Sequence, residues 1–118
     1  MILLHISSRE KAAAIGKLAK QIGETVKPIG YAELNRTLLG LHTGKKITKE
    51  TKLPPLYQMP ELLVFVGMPE ELLDRFLEAY KATGIEPVAL KAVATLHNSS
   101  WTVFELIEEL TREHQAFQ

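Results

Sequence analysis

The sequence predicts an α/β protein with one four-stranded sheet, and three observations support this fold class. Short apolar runs alternate with longer stretches in which apolar residues recur every three or four positions, as strands alternate with amphipathic helices. The runs Ile2–Ile6 and Leu62–Val66 have almost no polar residues and therefore suit strands that are buried on both faces. A strand–helix–strand pattern occurs twice, in Ile2–Ile29 and Leu62–Val88, which indicates a duplication with an offset of about 60 residues.

The first half has the pattern of a β-α-β-α unit. After the first strand, Ser7 and Glu10 form a capping-box pattern, which predicts that a helix begins there. Thr25–Ile29 predicts a weaker second strand, and Pro28 indicates that this strand lies at an edge of the sheet. The leucines of Tyr31–His42 are spaced as in one short helix, which completes the unit.

The second half repeats this order of elements. Pro69 suits the first position of an amphipathic helix, and Gly84 suits its end. Pro87–Leu90 predicts a second edge strand, followed by a loop over Lys91–Trp101. Apolar residues recur at helical spacing over Val103–His114, which predicts a final amphipathic helix.

The length of 118 residues is typical of one domain, and we expect residues 1–118 to form a single α/β domain. Its repeat halves are residues 1–42 and 61–118. Residues 43–60 between them carry four lysines and three prolines, a composition that predicts a flexible, exposed linker.

Two sheet arrangements fit this order of elements. A doubly wound parallel sheet with strand order 2-1-3-4 is favoured, because strands alternate with helices throughout and show no polar alternation. The alternative is a ferredoxin-like α+β sheet made of split βαβ units with strand order 4-1-3-2. Both arrangements place the first and third strands at the centre.

The composition excludes several classes of protein. There is no cysteine, so disulfide frameworks and thiolate metal sites are excluded, and no metal or cofactor is predicted. No apolar run approaches the length needed to cross a bilayer, and no signal peptide is evident, so we expect a cytoplasmic protein of bacterial type.

The formal net charge is zero, but residues 1–60 have a net charge of +6 and residues 61–118 of −6. Such an asymmetry favours attraction between the halves of one fold, or between two copies in a homodimer.

The segment from Ala89 to Thr102 resembles a known family. The residues that carry the resemblance are Leu90-Lys91-Ala92-Val93, Thr95, Asn98 and Trp101, with an acidic amphipathic helix that ends near Glu113-His114. This pattern is similar to that of the bacterial family of the domain of unknown function 3783. The similarity covers Leu62–His114 and extends more loosely to the first half, where Leu39–Gly44 resembles a glycine-bearing stretch of longer members. Leu96 and His97 depart from the pattern; the resemblance implies a fold and a special segment, and no activity.

Helix capping explains much of this segment. Thr102 and Glu105 form a second capping-box pattern at the start of the last helix, and Trp101 before them suits a hydrophobic staple. Asn98 suits a turn through side-chain hydrogen bonds to the backbone, and Thr95 belongs to the same structural motif.

Lys91 and Asn98 are also candidates for ligand binding. In a parallel sheet, ligands bind outside the carboxyl ends of the strands, where Ser7, Ser8, Gly67, Lys91 and Asn98 would share one rim. Helix N-termini at that rim favour a small anion. In the ferredoxin-like alternative the first and third strands run in opposite directions, so Ser7 and Gly67 would lie apart.

Other catalytic patterns are absent from the sequence. The histidines have no metal-ligand spacing; His5 suits a core position, and His97 is the only histidine that we would consider as an acid or base. No Gly-x-Ser-x-Gly nucleophile motif occurs. Gly40–Lys46 lacks the spacing and the Ser/Thr of a phosphate loop.

We therefore expect a non-catalytic binding or regulatory domain that contacts a protein partner or a small anionic ligand. The alternative is a small-anion-binding protein or small enzyme that uses Lys91 and Asn98 at the strand ends. Nucleic acid is not the expected partner, because the cluster Lys45, Lys46, Lys49 and Lys52 has no aromatic residues within it and the second half is acidic.

Overall fold

In the computed structural model, four strands and four helices alternate along the chain. The structure describes residues 1–116, with side chains as far as residue 114; residues 117 and 118, at the end of the predicted second half, lie outside the described residues. The strands are β1 (Ile2–His5), β2 (Val26–Pro28), β3 (Leu62–Phe65) and β4 (Leu90–Val93). The helices are α1 (Arg9–Gln21), α2 (Leu38–Thr43), α3 (Glu70–Ala82) and α4 (Val103–Ala116), with a 3-10 turn at Tyr31–Glu33.

The strands form one mixed sheet with the order β2-β1-β3-β4. The α/β class and this order agree with the favoured arrangement, whereas the order 4-1-3-2 of the ferredoxin-like alternative is not found. The prediction of a fully parallel sheet was wrong: β1 pairs with β2, and β3 with β4, in parallel, but β1 and β3 are antiparallel, with Leu3 opposite Val64. Strands that are apolar on both faces suit either direction, so their composition carries no information on it.

Helices cover both faces of the sheet. On one face, α1 and α3 pack together through buried residues such as Ile15 and Phe76. On the other face, α2 and α4 bury Leu38 and Ile107 in a second cluster. Both central strands are therefore enclosed, which explains why β3 is buried along its whole length.

The two halves repeat each other in geometry. Helices α1 and α3 both have 13 residues. Leu4 of β1 pairs with Pro28, and Phe65 of β3 pairs with Val93, so the parallel registers match when β1 is superposed on β3 and β2 on β4. The antiparallel pairing of β1 with β3 relates the halves by a local two-fold axis. The two halves therefore have the same order of elements and the same parallel pairing, and the duplication itself stays a prediction.

The same pseudo-symmetry joins the amino ends of α2 and α4. Thr37 and Thr102, the residues before the two helices, face each other in an antiparallel bridge. The amides of Leu38 and Val103 each donate a hydrogen bond of 3.0 Å to a carbonyl of the other half. The first amides of both helices are therefore occupied within the chain.

Two helix predictions in the first half need correction. The N-cap of α1 is Ser8 and not Ser7, because the Ser8 hydroxyl accepts the hydrogen bond from the Lys11 amide. The helix predicted over Tyr31–His42 is divided into the 3-10 turn and α2. An isolated bridge between Arg36 and Thr48 interrupts it, and the helix starts again after Thr37.

Strand β4 lies later in the chain than predicted. The predicted strand was Pro87–Leu90, whereas β4 begins at Leu90 and includes residues that were assigned to the loop Lys91–Trp101. Val88 is 1% exposed and packs in the cluster beneath α3. Residues 85–89 therefore cover the apolar face of α3 before the ladder with β3 begins.

Residues 44–60 contain neither helix nor strand and are mostly exposed. They are nevertheless attached to the body of the protein. The Tyr57 ring lies edge-on to Tyr31 and Phe104, with centroid distances of 6.4 and 5.3 Å, and Met59 is buried.

Candidate functional site

The candidate site is a groove between α3 and β4, which we call the α3–β4 groove. It has a volume of about 440 Å³, within the range of small-molecule sites. Its walls are mostly apolar, and two exposed lysines line it as well. The lining residues are Leu63, Phe76, Leu77, Tyr80, Lys81, Gly84, Ile85, Pro87, Val88 and Lys91.

The sequence builds this groove through the end of α3. Phe76 is anchored under the sheet by an edge-on contact with Phe65 at 5.5 Å. Gly84 has a φ of +73°, a left-handed conformation that lets the chain turn back beside the helix. The Tyr80 hydroxyl donates a hydrogen bond of 2.8 Å to the Glu86 carbonyl, which holds the returning segment in place. Burial raises the pKa of Tyr80, so its phenol remains a donor at neutral pH.

The charge of the α3–β4 groove is opposite to the net charge of residues 61–118, which form it. Residues 61–118 contain ten acidic and four basic residues, yet the only charged residues that line the groove are Lys81 and Lys91. Neither ammonium group forms an ion pair or side-chain hydrogen bond with a described residue. Both are available for an anionic group of a ligand.

The five residues of the predicted rim are not brought together. Because β1 and β3 are antiparallel, their carboxyl ends point in opposite directions. Ser7 and Ser8 therefore follow β1 beyond one set of strand ends, and Gly67 follows β3 beyond the other set. Asn98 comes after β4 on the side of Gly67, since β3 and β4 are parallel. Lys91 is the second residue of β4 and not part of the loop beyond it. The shared rim of the parallel arrangement therefore does not form.

Ser7 and Ser8 bind a carboxylate of the chain itself. Glu61 Oε2 accepts hydrogen bonds from the amides of Ser7 (3.0 Å) and Ser8 (3.2 Å), and Glu61 Oε1 accepts one from Lys11 Nζ at 2.7 Å. Burial alone raises the pKa of Glu61, but the hydrogen bonds from Lys11 and the two serines outweigh it and hold the pKa below its usual value. The hydrogen bond to Glu61 likewise raises the pKa of Lys11. The carboxylate of Glu61 thus occupies the position at the start of α1 that an anionic ligand would take.

Asn98 has a structural role in the turn after β4. Its Oδ1 accepts a hydrogen bond of 2.8 Å from the Thr95 amide, and its Nδ2 donates one of 3.1 Å to the Val93 carbonyl. The Thr95 hydroxyl accepts from the Asn98 amide at 3.3 Å. Because both ends of the Asn98 side chain are engaged, Lys91 and Asn98 do not form a joint ligand site.

The predicted capping box at α4 is present. The Glu105 amide donates to Thr102 Oγ1 at 3.1 Å, and the Thr102 amide donates to Glu105 Oε1 at 3.0 Å. The Thr102 amide holds the pKa of Glu105 below its usual value, and Lys49, 3.3 Å from the same oxygen, adds to this effect. Trp101 packs on the apolar cluster beneath α4. Helix capping accounts for these residues without a ligand.

Gly67 lies in a separate depression of about 330 Å³, which is also lined by His42, Thr95 and Leu96. Its φ of +65° is in the left-handed region, and a Cβ there would lie 3.4 Å from the His42 ring. The left-handed backbone conformation explains the glycine, since the contact of a Cβ with His42 would be an ordinary van der Waals contact. No Asp, Glu, Lys or Arg lines this depression.

The described residues show no arrangement typical of catalysis. They contain no group of three or more His, Asp or Glu side chains placed to hold a metal ion. His5 Nδ1 lies 3.0 Å from the Ile29 carbonyl, and His97 packs edge-on to Trp101 at a centroid distance of 5.4 Å. Neither histidine lies beside a nucleophile or an acid among the described contacts.

A further depression lies between residues 54–60 and α4. It has a volume of about 480 Å³ and is lined by Tyr57, Phe104, Glu108 and Arg112, among others. Its basic residue, Arg112, already pairs with Glu109 at 2.6 Å. This depression therefore lacks the unpaired cations that distinguish the α3–β4 groove.

Sequence patterns did not reveal the α3–β4 groove. Lys81 was not singled out, although it follows Leu77 by four positions and so lies on the same side of α3. The widened apolar stripe of α3, in which Leu77 follows Phe76, is the signal that could have indicated an exposed apolar wall.

The fold and the groove define an α/β protein with two β-α-β-α halves around one mixed sheet. Within the described residues, no helix has the length and apolar character to span a bilayer. Residues 61–117, which contain the groove, match the family model described as Domain of unknown function (DUF3783). No curated protein and no solved structure matches the chain.

Proposed function

We propose that this chain is a non-catalytic binding domain and that the α3–β4 groove binds a ligand with an apolar part and an anionic group. The observation that carries this proposal is the pair of unpaired lysines, Lys81 and Lys91, beside apolar walls in an otherwise acidic half. The apolar walls gain from the removal of water, and the lysines orient the ligand by its charge.

The number of atoms in a small ligand gives the expected affinity. A small ligand gains about 0.4 kcal/mol per non-hydrogen atom in a site of ordinary quality. Octanoate, with about ten such atoms, would gain about 4 kcal/mol, which corresponds to a dissociation constant of about 1 mM. The lysines contribute little on their own because both are exposed, and the octanoate affinity should fall as the salt concentration rises.

The proposal can be tested by NMR with methyl-labelled protein. Octanoate should give saturable shifts at the methyl groups of Leu77, Ile85 and Val88, which line the groove, and none at Ile47. Octanol should bind more weakly, and octylammonium should bind most weakly. The charge-reversed variant Lys81→Glu/Lys91→Glu should invert this order.

The matched control is Lys45→Glu/Lys46→Glu, which makes the same change in net charge at two exposed residues that do not line the groove. This variant should bind octanoate as the wild type does. Shifts that are spread over the surface, or an equal loss of binding in both charge-reversed variants, would overturn the proposal.

A further inference from the structure

The outer edge of β4 has backbone groups that are free to pair. Strand β4 is at one end of the sheet and pairs with β3 alone. The Ala94 amide donates a hydrogen bond of 2.9 Å to the Phe65 carbonyl, so it points towards β3. Because amides point alternately to the two sides of a strand, the amide of Ala92 also faces β3, and those of Lys91 and Val93 face the open edge.

The pseudo-equivalent edge of β2 lacks one outward donor because of a proline. The Ile29 amide donates to the Leu4 carbonyl at 2.8 Å, as the Ala94 amide does in the other half. The preceding residue is Pro28, which pairs with Leu4 and occupies the position of Val93. Proline has no amide hydrogen, so β2 cannot donate to another strand at this position. The outer edge of β2 therefore keeps one outward donor, the Val26 amide, whereas β4 keeps two, the amides of Lys91 and Val93.

Asn98 fixes where a pairing segment on β4 must end. Its Nδ2 donates to the Val93 carbonyl at 3.1 Å, which is the place that an amide of a neighbouring strand would take. The Lys91 amide, the Lys91 carbonyl and the Val93 amide remain for a partner. These three groups are enough for a short extended segment.

Both faces beside this edge have a depression for side chains. The α3–β4 groove lies on the face of Lys91. On the opposite face, a depression of about 220 Å³ is lined by Ala89, Leu90, Leu110, Glu113 and His114, and Lys91 reaches it from the edge of the strand. Side chains of a strand point alternately to the two faces, so a segment paired with β4 would place alternate side chains in the two depressions.

We infer that the ligand of this domain is an extended segment of another protein that pairs its main chain with the edge of β4. The segment carries an acidic and an apolar side chain on the face of the α3–β4 groove, opposite Lys81 and Lys91. This inference rests on the proposed function of the groove. A second copy of β4 fits less well, because it would bring its own Lys91 to the same lysine-bearing face.

The test is a selection of random heptapeptides displayed on phage against the wild-type protein. Enriched peptides should contain an acidic residue two positions from an apolar one, in a background of β-forming residues. A synthetic enriched peptide should lose at least tenfold in affinity, by fluorescence anisotropy, for Val93→Pro and retain its affinity for Val93→Thr. N-methylation of alternate peptide amides should abolish binding in one register and leave it unchanged in the other.

Each outcome decides between the partners. If enriched peptides bind Val93→Pro as tightly as the wild type, pairing with β4 is wrong. If no peptide is enriched while octanoate still occupies the groove, this inference fails and the proposed function stands; if neither binds, both fail. A concentration-dependent dimer of the wild type that Val93→Pro dissociates would overturn the inference in favour of a second copy.

Discussion

The direction of the backbone amides in β4 can be tested by moving a proline one residue along the strand. In Ala92→Pro the lost amide is one that faces β3, whereas in Val93→Pro it is one that faces the open edge. The protein already contains a proline at an outward-facing position of an edge strand, because Pro28 in β2 corresponds to Val93 in β4. Val93→Pro should therefore fold, and Ala92→Pro should be strongly destabilised.

The magnitudes follow from the groups that each substitution leaves unpaired. Ala92→Pro removes one ladder hydrogen bond, about 1 kcal/mol net, and leaves a carbonyl of the buried strand β3 without its donor, about 1–3 kcal/mol more. The total loss is about 3 kcal/mol. Val93→Pro removes a solvated donor and a side chain that is 45% exposed, and proline also restricts the unfolded chain. Its loss should be below about 1 kcal/mol.

Urea denaturation followed by circular dichroism measures this difference as a free energy of unfolding. The two variants should differ by at least about 2 kcal/mol, or about 8 °C in Tm for a domain of this size. Equal losses, or a larger loss for Val93→Pro, would refute the assignment of the outward amides. The pairing inferred for the edge of β4 would then have no basis.

Three further predictions test other parts of the structure by the same denaturation assay. Thr102→Val should lose about 1 kcal/mol because the Glu105 amide loses its cap, whereas Thr102→Ser should lose little; equal losses would contradict the capping role. Glu61→Gln should have a lower free energy of unfolding than the wild type at pH 7. Because the pKa of Glu61 is lowered in the folded state, this difference in stability should disappear as the pH falls from about 4.3 through the folded pKa. A difference that persists in acid would show that the charge of Glu61 is not its cause. Gly67→Ala should lower the free energy of unfolding by about 1–2 kcal/mol, because Gly67 has a φ of +65°. Gly16→Ala should raise it by about 0.5–1 kcal/mol, because Gly16 lies within α1 and has open space around it. Changes of the same sign in both variants would contradict the backbone argument.

Much of the fold could be predicted from the sequence because its signals are local. The apolar runs at β1 and β3 mark strands that are enclosed on both faces, and their central position follows from that enclosure. Thr102 and Glu105 satisfy each other across three residues, so their pairing is the same wherever α4 lies. The α/β class and the strand order follow from such elements taken together.

The direction of β3 and the position of β4 could not be predicted in this way. The 18 residues between α2 and β3 are long enough to enter the sheet from either end, and an apolar strand accepts either direction. Val88 was assigned to the strand because it is apolar, but its side chain packs under α3 instead. The predicted rim required β3 to be parallel to β1 and the strand before the last loop to end at Leu90. Because β3 is antiparallel, Ser7 and Gly67 lie apart; because β4 begins at Leu90, Lys91 lies within the strand and lines the groove.

The antiparallel centre of the sheet makes the two outer edges equivalent in position, so their sequences can be compared residue by residue. Parallel strand–helix–strand units cross over almost always with the right hand. Two such units related by a two-fold axis through β1 and β3 place α1 and α3 on the same face, as observed, and leave β2 and β4 as equivalent outer edges. Symmetry alone would therefore give two identical binding edges or none. Because Pro28 lacks the outward amide that Val93 keeps, β4 has one more donor than β2, and Lys81 and Lys91 lie beside the edge of β4.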